Sequence, residues 1–369
     1  LIGDPMGLTP ISTTLAGSTS PFPAGNPATP LNAFLHWPSV ASTTAPFHQE
    51  PMVSDLETEF TGRSHLMPST DSSPSAAPVL VLLRYRRQIL PDGSIPAIAE
   101  VPAHLDVKGL KASGAYSLHT EYSSKSRAFD SPLLDGLETI KASHRRGVPE
   151  LWINQAWALE FAEFIFRLVG NSEPPSIIEI HPPFVSSMPT MDAFLDVYEV
   201  FESAILARFP GCKIVIENRS GTKHPHAFLV SDADSIVALG NALSNRPLRL
   251  GIAFDMPQMF TRECGSKHSV GMEDVSLLER MMAIHEQIHT LHLWGRGGSG
   301  GAHSGALDGL FAPGTGAKEA CLALLNRMLN DGHPRHLVLE VSKGEDLASI
   351  LEDLTQAGFV CEVSCQAVG

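Results

Sequence analysis

Five short apolar runs in the second half of the chain each end in a side chain that can bind a metal ion. These side chains belong to His181, Glu217, Asp255, His292 and Glu340. Each run has the length and composition of a buried strand, and a buried carboxylate is costly unless it is paired or bound to a metal. Carboxylates and imidazoles at several strand ends therefore predict one shared site. This donor set suits Mn, Mg, Zn or Fe(II) and selects little among them.

Further ligand-type side chains lie close to these strand ends. His119 ends an earlier predicted strand, and His303 lies in the loop after a later one. Glu179 stands two positions before His181, so the two side chains share one face of their strand. Its carboxylate either points into the site or pairs with a neighbouring histidine or lysine. The chain has 16 histidines, and any single one is more simply a core or loop residue, but the ordered set is not.

Two arginines, Arg219 and Arg296, follow predicted strand ends directly. At such positions a guanidinium group grips an anionic or hydroxylated substrate, unless it is an ordinary surface arginine. Both arginines are therefore candidate substrate-binding residues.

The elements that must position these residues alternate between strands and helices, which indicates parallel βαβ units. Strands are predicted at 79–83, 115–119, 177–181, 213–217, 249–255, 289–293 and 336–340, and helices at 150–169, 191–208, 232–243, 273–287, 317–329 and 345–357, the last with Ser342 as N-cap. An eighth strand is expected near Ile11–Leu15, and Ile95–Val101 is predicted to be a hairpin partner of the first strand. Eight such units favour an α/β fold of the (β/α)8 TIM-barrel type over an open sheet. In such barrels the catalytic groups lie at the carboxyl ends of the strands.

The first part of the chain differs in composition from the rest. Residues 1–76 are rich in Pro, Ser, Thr and Ala and carry few charges before Glu50, which is typical of loop or linker. We therefore expect an irregular N-terminal extension over 1–76, which would contribute the first barrel strand, and a metal-binding barrel over 77–369.

Charge and cysteine content narrow the partners and the compartment. The formal net charge of −14 disfavours broad binding to a phosphate backbone, so a nucleic-acid substrate would depend on bound metal ions for local positive charge. The five cysteines are scattered and form no CxxC pair, which predicts free thiols in a reducing, cytoplasmic location. No apolar run is long enough to cross a membrane, and we expect no membrane partner.

The same strand ends resemble those of the xylose-isomerase-like TIM barrels and, within them, the endonuclease IV-like AP endonucleases. The matching segments are, in chain order, His181-Pro182-Pro183, Ile216-Glu217-Asn218-Arg219-Ser220-Gly221, Phe254-Asp255, Leu291-His292-Leu293, Ala302-His303 and Leu337-Val338-Leu339-Glu340. The resemblance covers roughly residues 119–369. It implies divalent ions such as Zn, Mn or Fe. One ion would be held by His119, His181 and bridging Glu217, and another by Glu217, Asp255, His292 and Glu340.

Two positions depart from the pattern of that family. Gln258 stands where the family has the histidine of an Asp-x-x-His motif, and Gly301 stands where it has the aspartate of an Asp-x-His motif. Two of the three ligands to the family's third metal are therefore absent. We expect a site for one or two ions, with Gln258 and His303 available to contact substrate.

Several functions are compatible with this site. A metal-dependent hydrolase acting on a phosphodiester is our first expectation, with Glu179, Glu217 and Glu340 as its catalytic carboxylates. A sugar isomerase or epimerase would instead use one ion held by Glu217, Asp255, His292 and Glu340. Its two glutamates would also transfer protons at carbons beside a carbonyl. A catalytically degenerate binding barrel and an iron-dependent oxidase stay open as well. The substrate is thus a small molecule or a phosphodiester, and the sequence indicates no oligomeric state.

Overall fold

A large parallel β-sheet organises the part of the chain that the computed structural model describes, which comprises residues 77–221, 227–297 and 302–363. Its strands are β1 (Val79–Leu83), β2 (Ala99–Ala103), β3 (Tyr116–Thr120), β4 (Ile177–Ile180), β5 (Lys213–Glu217), β6 (Leu250–Asp255), β7 (Ile288–Leu293), β8 (Arg335–Leu339) and β9 (Val360–Glu362). The helices are α1 (Glu138–Ala142), α2 (Gln155–Val169), α3 (Met191–Arg208), α4 (Ala233–Ser244), α5 (Met256–Cys264), α6 (Met272–Val275), α7 (Leu277–Met281), α8 (Ala317–Leu329) and α9 (Gly344–Gln356). The predicted α/β alternation is therefore confirmed.

The order of the strands shows a strongly curled sheet. The nine strands lie in the order β9-β1-β8-β7-β6-β5-β4-β3-β2, and every neighbouring pair is parallel. Arg84, which follows β1, is also bridged to Ala99 in β2. The Arg84 N–H donates to the Ile98 carbonyl over 2.8 Å, and the Glu100 N–H donates to the Arg84 carbonyl over 3.0 Å. These bonds join β1 to the strand at the far end of the order.

Period-two alternation along the strands separates two cores. One face of the sheet packs against the helices through residues such as Ile178, Ile216 and Phe254. The opposite face carries a small apolar cluster of Leu83, Tyr85, Ile177, Val215, Ala253 and Val338. Successive side chains of a strand point to opposite faces of the sheet. A residue two positions after a member of this cluster on the same strand therefore points to the cluster's side of the sheet.

Two strand predictions require comment. The hairpin prediction for Ile95–Val101 is wrong. The strand there is Ala99–Ala103, which pairs in parallel with Tyr116–Thr120, and its bridge to Arg84 is also parallel, whereas a hairpin partner would be antiparallel. The predicted strand at Ile11–Leu15 and the whole segment 1–76 lie outside the described residues. The described sheet already contains nine strands without that segment.

Most predicted helices are present, with their limits set by capping side chains. The Asn154, Thr190 and Asp232 side chains accept hydrogen bonds from backbone N–H groups in the first turns of α2, α3 and α4. The prediction of Ser342 as N-cap of α9 is wrong, because Lys343 occupies that position without a side-chain cap bond.

The single helix predicted over 273–287 is also wrong. The segment contains α6, α7 and a 3-10 turn over Met282–Gln287, in which Ile284 has a non-helical φ of −127°. Helix α5 was not predicted from the sequence. Across the described ranges, none of the helices combines the length and apolar character that a membrane span requires.

Candidate metal centre

A layer of polar side chains lies above the apolar cluster inside the curled sheet. Glu179, Glu217, Asp255 and Glu340 stand two positions after Ile177, Val215, Ala253 and Val338, respectively, which are members of that cluster. The alternation of the strands therefore aims all four carboxylates into the interior at the carboxyl ends of their strands. All four are buried.

One group of potential ligands contains two imidazoles and two carboxylates. His181 Nε2 lies 2.7 Å from Glu217 Oε2. His119 Nε2 lies 3.5 Å from Glu179 Oε1 and 3.5 Å from Glu217 Oε2. Each of these four residues offers one ligand atom, and the four atoms lie within 4.8 Å of one another. This group contains the His119, His181 and Glu217 set that the sequence analysis proposed, with Glu179 in addition.

A second group shares Glu217 with the first. Its other members are Asp255, His292 and Glu340, again with ligand atoms within 4.8 Å of one another. His292 lies between two carboxylates: its Nδ1 is 2.9 Å from Glu340 Oε1, and its Nε2 is 2.9 Å from Glu179 Oε2. The structure therefore brings together all six residues that were proposed as metal ligands, and Glu217 belongs to both groups.

The protonation of these groups reflects crowded negative charge. Burial raises the pKa of Asp255 well above its usual range, and the neighbouring Glu217 and Glu340 carboxylates raise it further. Burial opposes ionisation of Glu217 as well, but Arg219 and His181 outweigh it and hold the pKa of Glu217 well below its usual range. Burial would lower the pKa of His292, whereas the Glu179 carboxylate raises it well above the usual value. Only positive charge allows these acids to ionise together.

This chemistry fits a divalent cation. Four buried carboxylates and three imidazoles supply hard oxygen and borderline nitrogen ligands, a donor set suited to Zn, Mn or Fe. Glu179 Oε1 is buried and has no hydrogen-bond partner among the described residues, although native structures rarely leave such an atom unsatisfied. A cation bound at the first group would satisfy it, and one at the second would let Asp255 ionise beside Glu217.

Neighbouring loops hold the ligands in place. His181 Nδ1 lies 3.2 Å from the Glu121 carbonyl oxygen, which leaves Nε2 to face Glu217. The Glu121 carboxylate in turn accepts hydrogen bonds from the Arg127 guanidinium over 2.7 and 3.0 Å. Histidines at metal sites are commonly oriented through their second nitrogen in this way. The sequence analysis did not identify Glu121 or Arg127, because neither stands at the end of an apolar run.

Gln258 and Arg219 both contact Glu217. The Gln258 amide donates to Glu217 Oε1 over 3.2 Å and accepts from the Ser220 N–H over 2.9 Å. The Arg219 guanidinium donates to Glu217 Oε1 over 3.3 Å and lies over the Tyr122 ring, 5.1 Å from its centroid. Arg219 and Gln258 thus both border the ligand groups through Glu217, and their contacts with substrate stay predictions.

His303 reaches the cluster from the loop after β7. Its Nδ1 lies 2.5 Å from Glu340 Oε2, and its ring packs against Trp294, with 4.3 Å between centroids. The Trp294 indole N–H donates to Asp255 Oδ2 over 3.1 Å. His303 has a positive φ of 55°, a backbone conformation that is uncommon outside glycine and often marks a functional position. Gly301, which stands in place of the aspartate of the Asp-x-His motif, lies outside the described residues.

Arg296 has a different environment. Its guanidinium donates to the His268 carbonyl and, over 3.1 Å, to the Thr261 hydroxyl. Its backbone carbonyl packs closely against Gly305 and Gly309. In the described part of the chain its hydrogen bonds thus fasten loops beside the site and do not reach the ligand groups, so its substrate contact stays a prediction.

Two further polar residues face the same interior and were missed. Glu100 follows Ile98, which packs against the apolar cluster, by two positions. Burial raises the pKa of Glu100 to about 7, although nearby His119 opposes the rise. His104 follows β2, and its ring meets those of Tyr122 and His119 at centroid distances of 4.8 and 5.9 Å. The alternation in Ile98-Ala99-Glu100-Val101 could have predicted that Glu100 faces the site. It was not used, because this segment was interpreted as one strand of a hairpin.

Comparisons with known proteins give only distant similarities. No protein-family model matches the chain, and no curated protein sequence matches it. The solved structure of a D-tagatose 3-epimerase-like protein is 13% identical, with a TM-score of 0.39 over 75% of this chain and 96% of that one. AsfvAP:AG is 14% identical, with a TM-score of 0.44 over 76% and 98%. A xylose isomerase domain protein from Planctomyces limnophilus is 14% identical, with a TM-score of 0.36 over 76% and 97%. Similarities this distant decide neither fold nor activity, so both rest on the strands and side chains of this chain.

Proposed function

We propose that this protein is a divalent-metal-dependent hydrolase that cleaves phosphodiesters at a site for two ions inside a (β/α)8 barrel. The observation that carries the proposal is the sharing of Glu217 between two complete ligand groups. A carboxylate common to two such groups is the arrangement expected where two ions act on one reacting phosphate. The hydrogen bonds between Arg84 and β2 support closure of the barrel.

Bound ions would polarise a phosphoryl oxygen and make a water molecule more acidic. The residues of the chain then divide the remaining tasks. Glu217 stays ionised because its pKa is held low, so it is suited to bridge two cations. The Glu179 carboxylate would hold an ion of the first group through one oxygen and would orient an attacking water beside it. Arg219 Nε, buried and without a partner among the described residues, can donate to a substrate oxygen.

A sugar isomerase or epimerase is the second candidate. It is favoured by the completeness of the group formed by Glu217, Asp255, His292 and Glu340, which needs no contribution from His119 or His181. In that case one ion would suffice. The two glutamates would transfer protons at carbons beside a carbonyl, and the two histidines would contact the sugar.

The decisive experiment reconstitutes chelator-treated protein with Zn, Mn or Fe(II) and tests it on abasic-site DNA and on a panel of ketoses. The hydrolase proposal expects incision of the DNA, and His119→Ala should reduce incision because it removes a ligand only from the first group. Ketose turnover that persists in His119→Ala with a raised KM would support the isomerase instead, because His119 would then contact the sugar and hold no ion. The absence of both activities in fully loaded protein would contradict both enzymatic proposals.

A further inference from the structure

A cavity lined by three cations lies where the loop after β1 meets the end of β8, and its lining begins one residue beyond Glu340 of the candidate metal centre. It has a volume of about 480 Å³. Its charged lining consists of Arg86, Arg87 and Lys343, with Ser342 as a further polar residue. Val341, also in the lining, directly follows Glu340, which belongs to the second ligand group. The cavity and the metal centre thus share the end of one strand.

Hydrogen bonds fix the arginine-bearing loop in this position. The Gln88 side chain donates to the carbonyl oxygens of Leu339 and Val341, each over 2.6 Å, and so spans Glu340. Its own amide oxygen accepts the Tyr85 N–H over 3.2 Å. The loop that carries Arg86 and Arg87 is therefore fastened on both sides of Glu340. These bonds hold the loop that carries the two arginines against the end of β8.

The cations of this cavity have few internal partners. Arg86 and Arg87 are exposed and form no ion pair with any described residue, and Arg86 lies over the Tyr85 ring at 4.7 Å. Within the described ranges, the ion-pair contact of Lys343 is a long one of 3.8 Å to the exposed Glu345. Arg86, Arg87 and Lys343 thus gather positive charge at one place in a chain with a net charge of −14. Such a group attracts an anion, and guanidinium groups match the oxygen geometry of phosphate.

We propose that the cavity formed by Arg86, Arg87 and Lys343 is a subsite that binds a phosphate group of the substrate next to the metal centre. The inference deepens the proposed function, on which its catalytic role rests. It predicts a preference for substrates that carry a second phosphate beside the bond that is cleaved. Tyr85, which is almost fully buried, lines this cavity and also belongs to the apolar cluster beneath the metal centre.

A binding experiment tests the subsite without relying on catalysis. Metal-free, chelator-treated protein is titrated with inorganic phosphate and with pyrophosphate by isothermal titration calorimetry at low salt. The variant Arg86→Gln/Arg87→Gln should bind both about tenfold more weakly or worse, since it loses charged hydrogen bonds. The matched control Lys111→Gln/Arg208→Gln removes two exposed cations from elsewhere and should bind like the wild type. Equal loss in both variants, or no binding by the wild type, overturns the subsite.

A kinetic experiment then separates the subsite from the proposed activity. Reconstituted protein is assayed on bis(p-nitrophenyl) phosphate, which has one phosphate, and on a 5′-phosphorylated dinucleotide, which has two. The Arg86→Gln/Arg87→Gln variant should raise KM about tenfold for the dinucleotide only, with kcat and metal content unchanged. An equal change on both substrates contradicts the proposal. If the wild type hydrolyses neither, the proposed function fails while the phosphate titration still decides the subsite.

Discussion

Replacing Glu217 by glutamine should abolish most of the metal-dependent stability of this protein. Glu217 is fully buried, and one of its oxygens lies 2.7 Å from His181 Nε2. It is the one residue common to both ligand groups, so Glu217→Gln weakens both at once. An amide nitrogen cannot ligate a cation, and the neutral side chain removes a negative charge that the ions require.

The expected magnitude follows from linkage between binding and folding. At a free-metal concentration of about 100 times Kd, each ion stabilises the folded state by about 2.7 kcal/mol. Two ions therefore contribute about 5 kcal/mol, a rise in Tm on the order of 10 °C for a domain of this size. In metal-free protein the substitution should cost only about 1–3 kcal/mol, because the weakened hydrogen bonds to His181 and Arg219 are partly offset by the removal of a charge that raises the pKa of Asp255.

The assay compares thermal unfolding with and without metal for the wild type, Glu217→Gln and a matched control. Glu202→Gln is the control, because Glu202 is also a buried glutamate but bonds to the Tyr198 hydroxyl, 2.7 Å away, and to the Arg249 N–H. The control should lose stability in both conditions and keep the full metal-dependent gain. If Glu217→Gln keeps that gain as well, Glu217 does not join two ions and the reasoning is refuted.

The remaining predictions concern a buried ion pair at the start of β8 and the loop that carries His303. Arg335→Ala should lower the free energy of unfolding by about 3–5 kcal/mol, because the buried guanidinium donates to four backbone carbonyls and to Asp331. Urea unfolding measures this loss, and a value below about 1 kcal/mol would contradict the prediction. Asp331→Asn should cost about 1–3 kcal/mol at pH 7, because hydrogen bonds from Arg335 hold the Asp331 pKa below its ordinary 3.8. That stabilisation is present above the ordinary pKa and is lost as the pH falls through the lowered one, so the stabilities of the wild type and Asp331→Asn should begin to converge below about pH 4; a constant gap would argue against it. Gly295→Ala should cost about 1–3 kcal/mol and reduce hydrolysis, because the added Cβ would lie 1.7 Å from the Ala306 oxygen and displace the loop of His303; unchanged stability would show that the loop yields freely.

The sequence predicted the convergence of six ligand-type residues because two simple rules determine it. Parallel strands bring their carboxyl ends to one edge, and period-two alternation decides which face each residue takes. The run Lys213–Glu217 shows both rules: three buried apolar residues lead to a carboxylate at the carboxyl end of the strand. The chemical roles of the six residues are still predictions, since convergence alone does not establish them.

Other parts of the site depended on contacts between distant segments. Glu121 and Arg127 lie in an irregular loop, and the role of their pair becomes visible only when His181 is placed against the Glu121 carbonyl. Gln258 was expected to contact substrate, but the Ser220 backbone and Glu217 engage its amide. No periodicity in one sequence encodes such pairings.

The helix limits show a similar division. Capped, amphipathic helices such as Met191–Arg208 were predicted at their observed bounds. The continuous helix expected over 273–287 breaks at Ile284, whose side chain packs tightly against Gly240 of α4. Tertiary packing there outweighs local helix preference.

The most direct test of the two-ion account is the metal content of the full chain. Protein purified without chelator and protein reconstituted with excess Zn, Mn or Fe(II) would be dialysed and analysed by inductively coupled plasma mass spectrometry. The shared position of Glu217 predicts two tightly held ions per chain, falling to at most one in Glu217→Gln. One ion in the wild type would favour the isomerase arrangement, whereas none, or three, would contradict the account.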